Sequence, residues 1–161
     1  MAQNIIRTVA QQTQDELTYH ISDLVSLAME AVFGDSAYSL KVEFPLRRGR
    51  TECDINFIRA GQAVSPLQGA GGGAVDVAAF ALRVALWSLM QPRTRPVIVL
   101  DEPFRFLSRD LHSQASTMLR EVSGKLGVQI IMVTHSEALT ECADRIFEVQ
   151  IKNGKSIVST S

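Results

Sequence analysis

Cysteine is scarce. Cys53 and Cys142 fall in different segments, without CxxC spacing or a nearby histidine, which excludes a thiolate zinc site and a disulfide-stapled scaffold. Both read as buried or idle thiols. Neither sign of charge is in excess: 16 Lys and Arg against 17 Asp and Glu give a net charge of −1, so bulk electrostatics offers no case for nucleic-acid binding and any DNA contact must be local. Aromatic residues make up only 6%. The most apolar stretch, residues 74–90, carries Asp76 and Arg83 and falls short of the roughly 20 residues of a membrane span. The first eight residues, Met-Ala-Gln-Asn-Ile-Ile-Arg-Thr, have no apolar signal core, so the expectation is a cytoplasmic protein without membrane contact. What the chain does have is 161 residues at 46% hydrophobic composition, the size of one domain of about 150 residues, able to bury roughly 69% of its extended surface.

Residues 5–33 contain no Pro or Gly, and Ile6, Ala10, Thr13, Leu17, His20, Leu24, Leu27 and Ala31 recur at spacings of three and four, which predicts one long helix closed by Gly34. The stripe is weak before Leu17, as expected of turns that leave the core and want a second helix beside them. His20 reads as a packing or boundary residue. Residues 38–44 and 51–58 have strand composition, and the Pro45-Leu-Arg-Arg-Gly-Arg50 link predicts a hairpin. The chain then passes Ser65-Pro66 into Gln68-Gly-Ala-Gly-Gly-Gly73 and an apolar helix ended by Gln91-Pro92. Two wholly apolar runs, residues 97–100 and 130–133, look like central parallel strands covered on both faces; a helix over about residues 109–126 joins them. Residues 145–151 and 156–160 flank Asn153-Gly154, a hairpin turn.

Chemistry gathers at the ends of the apolar strands. Asp101 and Glu102 follow the first, where ligands of open α/β sheets bind. A hard cation such as Mg²⁺ takes carboxylate and water oxygens, and a second carboxylate orients or deprotonates a water. His135 ends the second strand, within reach of the same ligand if the two strands are neighbours. The glycine stretch places backbone N–H groups at a helix start, which suits an anion. It also fits G-x-G-x-x-A, but no strand runs straight into its first glycine. Gly154-Lys155-Ser156 imitates the close of a P-loop, yet Val149 stands where the first glycine belongs. No P-loop exists in the chain.

In this order the features resemble the C-terminal lobe of an ABC-type ATPase head, of the branch holding SMC proteins and the coiled-coil ATPases of DNA double-strand-break repair. Phe80-Ala-Leu-Arg-Val-Ala-Leu86 resembles the signature helix of the repair branch, and Asp101-Glu-Pro-Phe-Arg-Phe-Leu-Ser108 is similar to phage-type recombination and repair members. The resemblance covers nearly the whole chain. It implies an α/β fold, the C-terminal half of a P-loop ATPase head, in which residues 1–33 are a coiled-coil stump, residues 34–161 form the lobe, and 1–161 make a single domain closed by a β-hairpin. It also implies a signature loop at Gly71, Gly72 and Gly73, a Walker B pair at Asp101 (Mg²⁺) and Glu102 (general base), a D-loop ending at Ser108, and a switch histidine at His135 that senses the γ-phosphate.

Three departures from the family pattern stand out. Ala70 replaces the signature serine, Ser108 occupies the D-loop aspartate position, and the N-terminal lobe with its P-loop is missing. The function implied is ATP-driven engagement of two heads in DNA repair or recombination, with ATP and Mg²⁺ as cofactors. The partners implied are a P-loop lobe, a second head, DNA and a repair nuclease. Arg47, Arg48 and Arg50 in the first hairpin turn are candidate phosphate contacts. Two alternatives remain beside this: a non-enzymatic module that docks on a P-loop partner or DNA, and a transporter ATPase half.

Overall fold

The structure, a computed structural model, describes residues 2–160. Helix α1 (Ala2–Phe33) is followed by one 3₁₀ turn and a small antiparallel sheet in the order β1 (Ser39–Glu43), β4 (Asp54–Arg59), β5 (Gln62–Val64). Between β1 and β4 the two-residue strands β2 (Leu46–Arg47) and β3 (Arg50–Thr51) extend the hairpin. The one-turn helix α2 (Pro66–Gly69) leads into α3 (Gly72–Leu89). Next come β6 (Val97–Asp101), α4 (His112–Leu126), β7 (Gln129–Val133), the short α5 (Glu137–Thr140) and a terminal hairpin of β8 (Phe147–Lys152) and β9 (Lys155–Thr160).

The expected long helix forms, but a different face of it is buried. Ile21, Val25, Ala28, Met29 and Val32 enter the core, while Leu27 is 54% exposed and His20 lies outside. Both stripes obey helical spacing; the choice falls to what lies beside α1, namely α3, α4 and β1. The Ser26 hydroxyl accepts the Leu40 N–H at 2.9 Å and locks α1 to β1. Full burial of side chains such as Val25 and Met29 stabilises the fold by roughly 1.5–3 kcal/mol each.

Strand β5 has no strand-like forecast behind it. Its turn is Ala60-Gly61, with both residues at positive φ, and an alanine there carries no turn signal. Asn153-Gly154 makes the same kind of turn and was legible. Helix α3 is long and apolar enough to cross a membrane, yet Ala74, Val77, Ala78, Phe80, Ala81 and Val84 place it in the protein core.

β6 and β7 pair in parallel, with Ile98 opposite Ile130 and Asp101 opposite Val133. Their inward residues Ile98 and Leu100 join the core with Phe80 and Met118. Their other face is bare: Val99 is 66% exposed, Ile131 47% and Val133 57%. The expectation of strands covered on both faces is therefore met on one face only within this chain. Apolar Leu86, Trp87 and Met90 of α3 and its end border the same open side, with Val97 and Val99, in a groove of about 400 Å³.

Candidate functional site

The parallel register brings the two strand ends together. One residue beyond the Asp101–Val133 pair, the Glu102 N–H donates to the Val133 carbonyl at 2.9 Å. That bond places Glu102 beside His135, with Nε2 to Oε1 at 3.5 Å. The imidazole is 96% exposed and the carboxylate 38%, so the contact contributes at most about 1 kcal/mol even when the histidine is protonated. Its value lies in placement. Asp101 is exposed at the strand terminus.

The backbone here is strained. Glu102 and Phe104 have φ of 44° and 60°, a region that costs a non-glycine residue roughly 1–3 kcal/mol and persists only where the surroundings impose it. What imposes it is visible: the Phe104 ring is buried and meets Phe80 edge-on at 5.8 Å, and the Phe104 carbonyl accepts the Leu107 N–H. The tight turn throws Glu102 outward while its neighbour anchors in the core.

Gly71 caps α3, whose first residues are Gly72 and Gly73. A Cβ on Gly72 would lie 2.8 Å from the Phe106 Cβ, and one on Gly73 would lie 2.9 Å from the Leu107 Cα. Residues 72 and 73 are glycine because the chain after the acidic pair runs against the start of α3. Around Gly71 the space is open. The Asp76 carboxylate accepts the Phe106 N–H at 2.9 Å and ties the same two segments. Ser108 sits just beyond them, exposed, its carbonyl accepting the Leu111 N–H.

Two polar residues of this region escaped the sequence reading. Asp76 carried a signal, a lone carboxylate in the first turns of an apolar helix. His112 carried none: it lies in a polar stretch without a motif, and only the fold sets its ring between the Leu107 carbonyl (3.2 Å) and the Ser136 hydroxyl (2.7 Å).

The three hairpin arginines are not equivalent. Arg47 grips Asp54 through both guanidinium nitrogens and Glu52 through one. These bonds raise its pKa, and the hydrogen bond from Arg47 holds the Asp54 carboxyl below the ordinary carboxylate range. Arg48 and Arg50 are exposed, and Arg48 with Gly49 forms the turn at positive φ.

No protein-family model matches the chain. The DNA double-strand break repair Rad50 ATPase of Thermoplasma volcanium is 33% identical over 107 residues, 65% of this chain and 12% of that protein. The Rad50 ATPase of Pyrococcus abyssi is 26% identical over 145 residues, 90% of this chain and 16% of that protein. A shorter match, 38% over 74 residues and 45% of this chain, is to 20% of the Fe(3+) ions import ATP-binding protein FbpC of Streptomyces coelicolor. Among solved structures, the Smc head domain with an extended coiled coil from Pyrococcus furiosus, bound to the C-terminal domain of ScpA, superposes with a TM-score of 0.69. The identity is 20%, over 99% of this chain and 40% of that one. A structure from work on ATP-driven dimerization and DNA-stimulated activation of SMC ATPases gives 0.70 at 18% identity, covering 93% of this chain and 88% of that one. These matches make the chain similar to a region of an SMC/Rad50-type ABC ATPase head.

The α/β architecture expected of such a head, with its parallel strands and terminal hairpin, is the one observed. The Rad50 relatives extend well beyond it: the chain spans roughly an eighth to a sixth of their lengths. The near-complete overlap with a coiled-coil-bearing Smc head takes in α1, and the long match to Rad50 takes in at least its second half.

Proposed function

We propose that this chain is the C-terminal lobe of an ATP-hydrolysing SMC/Rad50-type head, with residues 1–161 forming one domain whose α1 is the stump of a coiled coil. The observation that carries the reading is the β6–β7 pair, which presents Glu102 and His135 together at its carboxyl end and leaves Val99 and Ile131 bare on one face. A P-loop lobe that covers that face brings its nucleotide to the same strand ends.

The residues present fit a Mg²⁺–ATP complex held jointly with another lobe. Among the described residues no group of three or more His, Cys, Asp or Glu side chains is placed to hold a metal ion. Mg²⁺ asks for less, one or two carboxylates with water and phosphate completing its shell, and exposed Asp101 offers one through water. When bound, ATP would supply the phosphoryl group and Mg²⁺ would offset its negative charge.

The remaining work falls to side chains of this chain. Glu102 orients a water and takes its proton. His135, next to it, would donate to the terminal phosphate oxygens. The first N–H groups of α3 lack intrahelical partners, so Gly71, Gly72 and Gly73 cap the nucleotide of a second head through backbone donors, without the serine hydroxyl that Ala70 lacks. Ser108 faces that second head. DNA at Arg48 and Arg50, and a repair nuclease, complete the proposed assembly, which works in the cytoplasm.

The test is Glu102→Gln in a head completed by its P-loop lobe. The substitution keeps the shape and the Asp101 site but removes the base, so ATP binds, two heads stay joined, and hydrolysis falls by about 10²–10⁴-fold. Hydrolysis at the parental rate returns the acidic pair to a solvated strand end. It would favour a module that docks without chemistry.

A further inference from the structure

We infer that His112 is a positioning residue for His135; the inference rests on the reading of His135 as the phosphate contact. An imidazole that is 96% exposed has almost nothing packed around it to fix its direction. Its aim must come from the backbone that carries it. That backbone is held from below by α4, and His112, the first residue of α4, is the stitch nearest to it.

The ring is bonded on both sides. A carbonyl oxygen only accepts, so the contact to Leu107 fixes the proton on Nε2 of the neutral ring. Nδ1 is then an acceptor, and the Ser136 hydroxyl donates to it at 2.7 Å. Ser136 is also bonded through its backbone: its N–H donates to the Thr134 hydroxyl oxygen at 3.1 Å. Residues 134–136 form a closed arc with His135 at its apex and His112 at its base.

Further along α4 the buried Ser116 repeats the arrangement. Its hydroxyl donates to the Leu139 carbonyl and accepts the Cys142 N–H. Helix α4 thus sets the path of the chain leaving β7. Through Leu107, His112 also holds the segment leaving β6, five residues after Glu102. One ring joins the exits of both strands whose ends bear the site.

The experiment uses the head completed by its P-loop lobe, uniformly ¹⁵N-labelled. The expected ring state of His112 is the Nε2–H tautomer, and the residue 134–136 amides give sharp single resonances. Removing the ring with His112→Ala, or only its partner with Ser136→Ala, broadens those amides. It lowers kcat by roughly tenfold or more while KM for ATP stays within about twofold, the signature of a misaimed group and not of lost binding. Asn at position 112 reaches the place of Nδ1, so His112→Asn restores most of kcat. Ser136→Ala leaves the α4 packing untouched and reads the same link should His112→Ala unfold.

A parental kcat in both alanine variants overturns the inference, as does an Nδ1–H tautomer at His112. If the parent head does not hydrolyse ATP, the proposed function fails by itself. The tautomer and the line widths at residues 134–136 then still decide whether His112 fixes the His135 arc.

Discussion

The Asp76 carboxylate accepts the backbone N–H of Phe106 at 2.9 Å, thirty positions away in sequence. It joins the first turns of α3 to the turn that follows Glu102, where Gly72 and Gly73 leave no space for a Cβ. The start of the glycine-capped helix and the exit from the acidic strand are therefore one packed unit.

This contact separates glycines that look alike in sequence. Gly73→Ala forces a Cβ against the Leu107 backbone and should destabilise the completed head by about 1–3 kcal/mol. Gly71→Ala meets open space at an ordinary φ and should stay within about 0.5 kcal/mol. Denaturant midpoints of the two variants give the comparison; equal losses would show that the close approach at residue 73 does not matter.

Glu102 sits at φ 44°, held there by the turn that buries Phe104 two residues on. Glu102→Gly relieves the left-handed strain at some cost in unfolded-chain entropy, for a net gain of up to about 1 kcal/mol. It should also abolish ATP hydrolysis by the completed head. A thermal melt and a turnover assay on the same sample check the pair, and a less stable glycine variant would contradict the strain argument.

Arg47 is engaged with Asp54 and Glu52, whereas Arg48 and Arg50 are exposed. Each phosphate contact removed should lower the log–log salt slope of DNA binding by about one. Arg48→Ala and Arg50→Ala should each do so in the completed head, and Arg47→Ala should do so less. Equal slopes for all variants would take DNA contact away from this turn.

The same pair gives a pH dependence. Asp54 is held below the ordinary carboxylate range, chiefly by its hydrogen bond from Arg47. A depressed folded value means that its contribution is complete above the unfolded value of about 4 and is lost as the pH falls through the lowered one. An NMR titration of the Asp54 carboxyl should therefore show a midpoint below about 4 that returns upward in Arg47→Ala. An unmoved midpoint would show that Arg47 does not hold the carboxylate.

The candidate site was legible because its residues end apolar strands, and strand ends in parallel sheets gather in space. The meeting of Glu102 and His135 needed only that rule. The buried face of α1 was not legible: Leu24, Leu27 and Ala31 and the core stripe of Val25, Ala28, Met29 and Val32 both keep helical spacing, and tertiary neighbours chose between them. His112 was invisible for a different reason, since its partners Leu107 and Ser136 meet it only after two strands pair. The bare face of β6 and β7 misled in a useful way. Its residues are as apolar as those of a doubly covered strand, yet Val99, Ile131 and Val133 are exposed; in the proposed function a P-loop lobe covers them.

The central claim, that the site is half of a nucleotide site completed on the bare sheet face, is tested by ATP turnover with and without a P-loop lobe of an SMC/Rad50-type head. The chain by itself should turn over ATP no faster than buffer, since the P-loop supplies most of the donors to the phosphates. The two lobes together should bind and hydrolyse it. A Val99→Glu, Ile131→Glu double variant, which puts charge on the exposed face and leaves the core residues alone, should abolish both the association and the turnover. Turnover by the chain alone, or undiminished turnover by the double variant, would contradict the account.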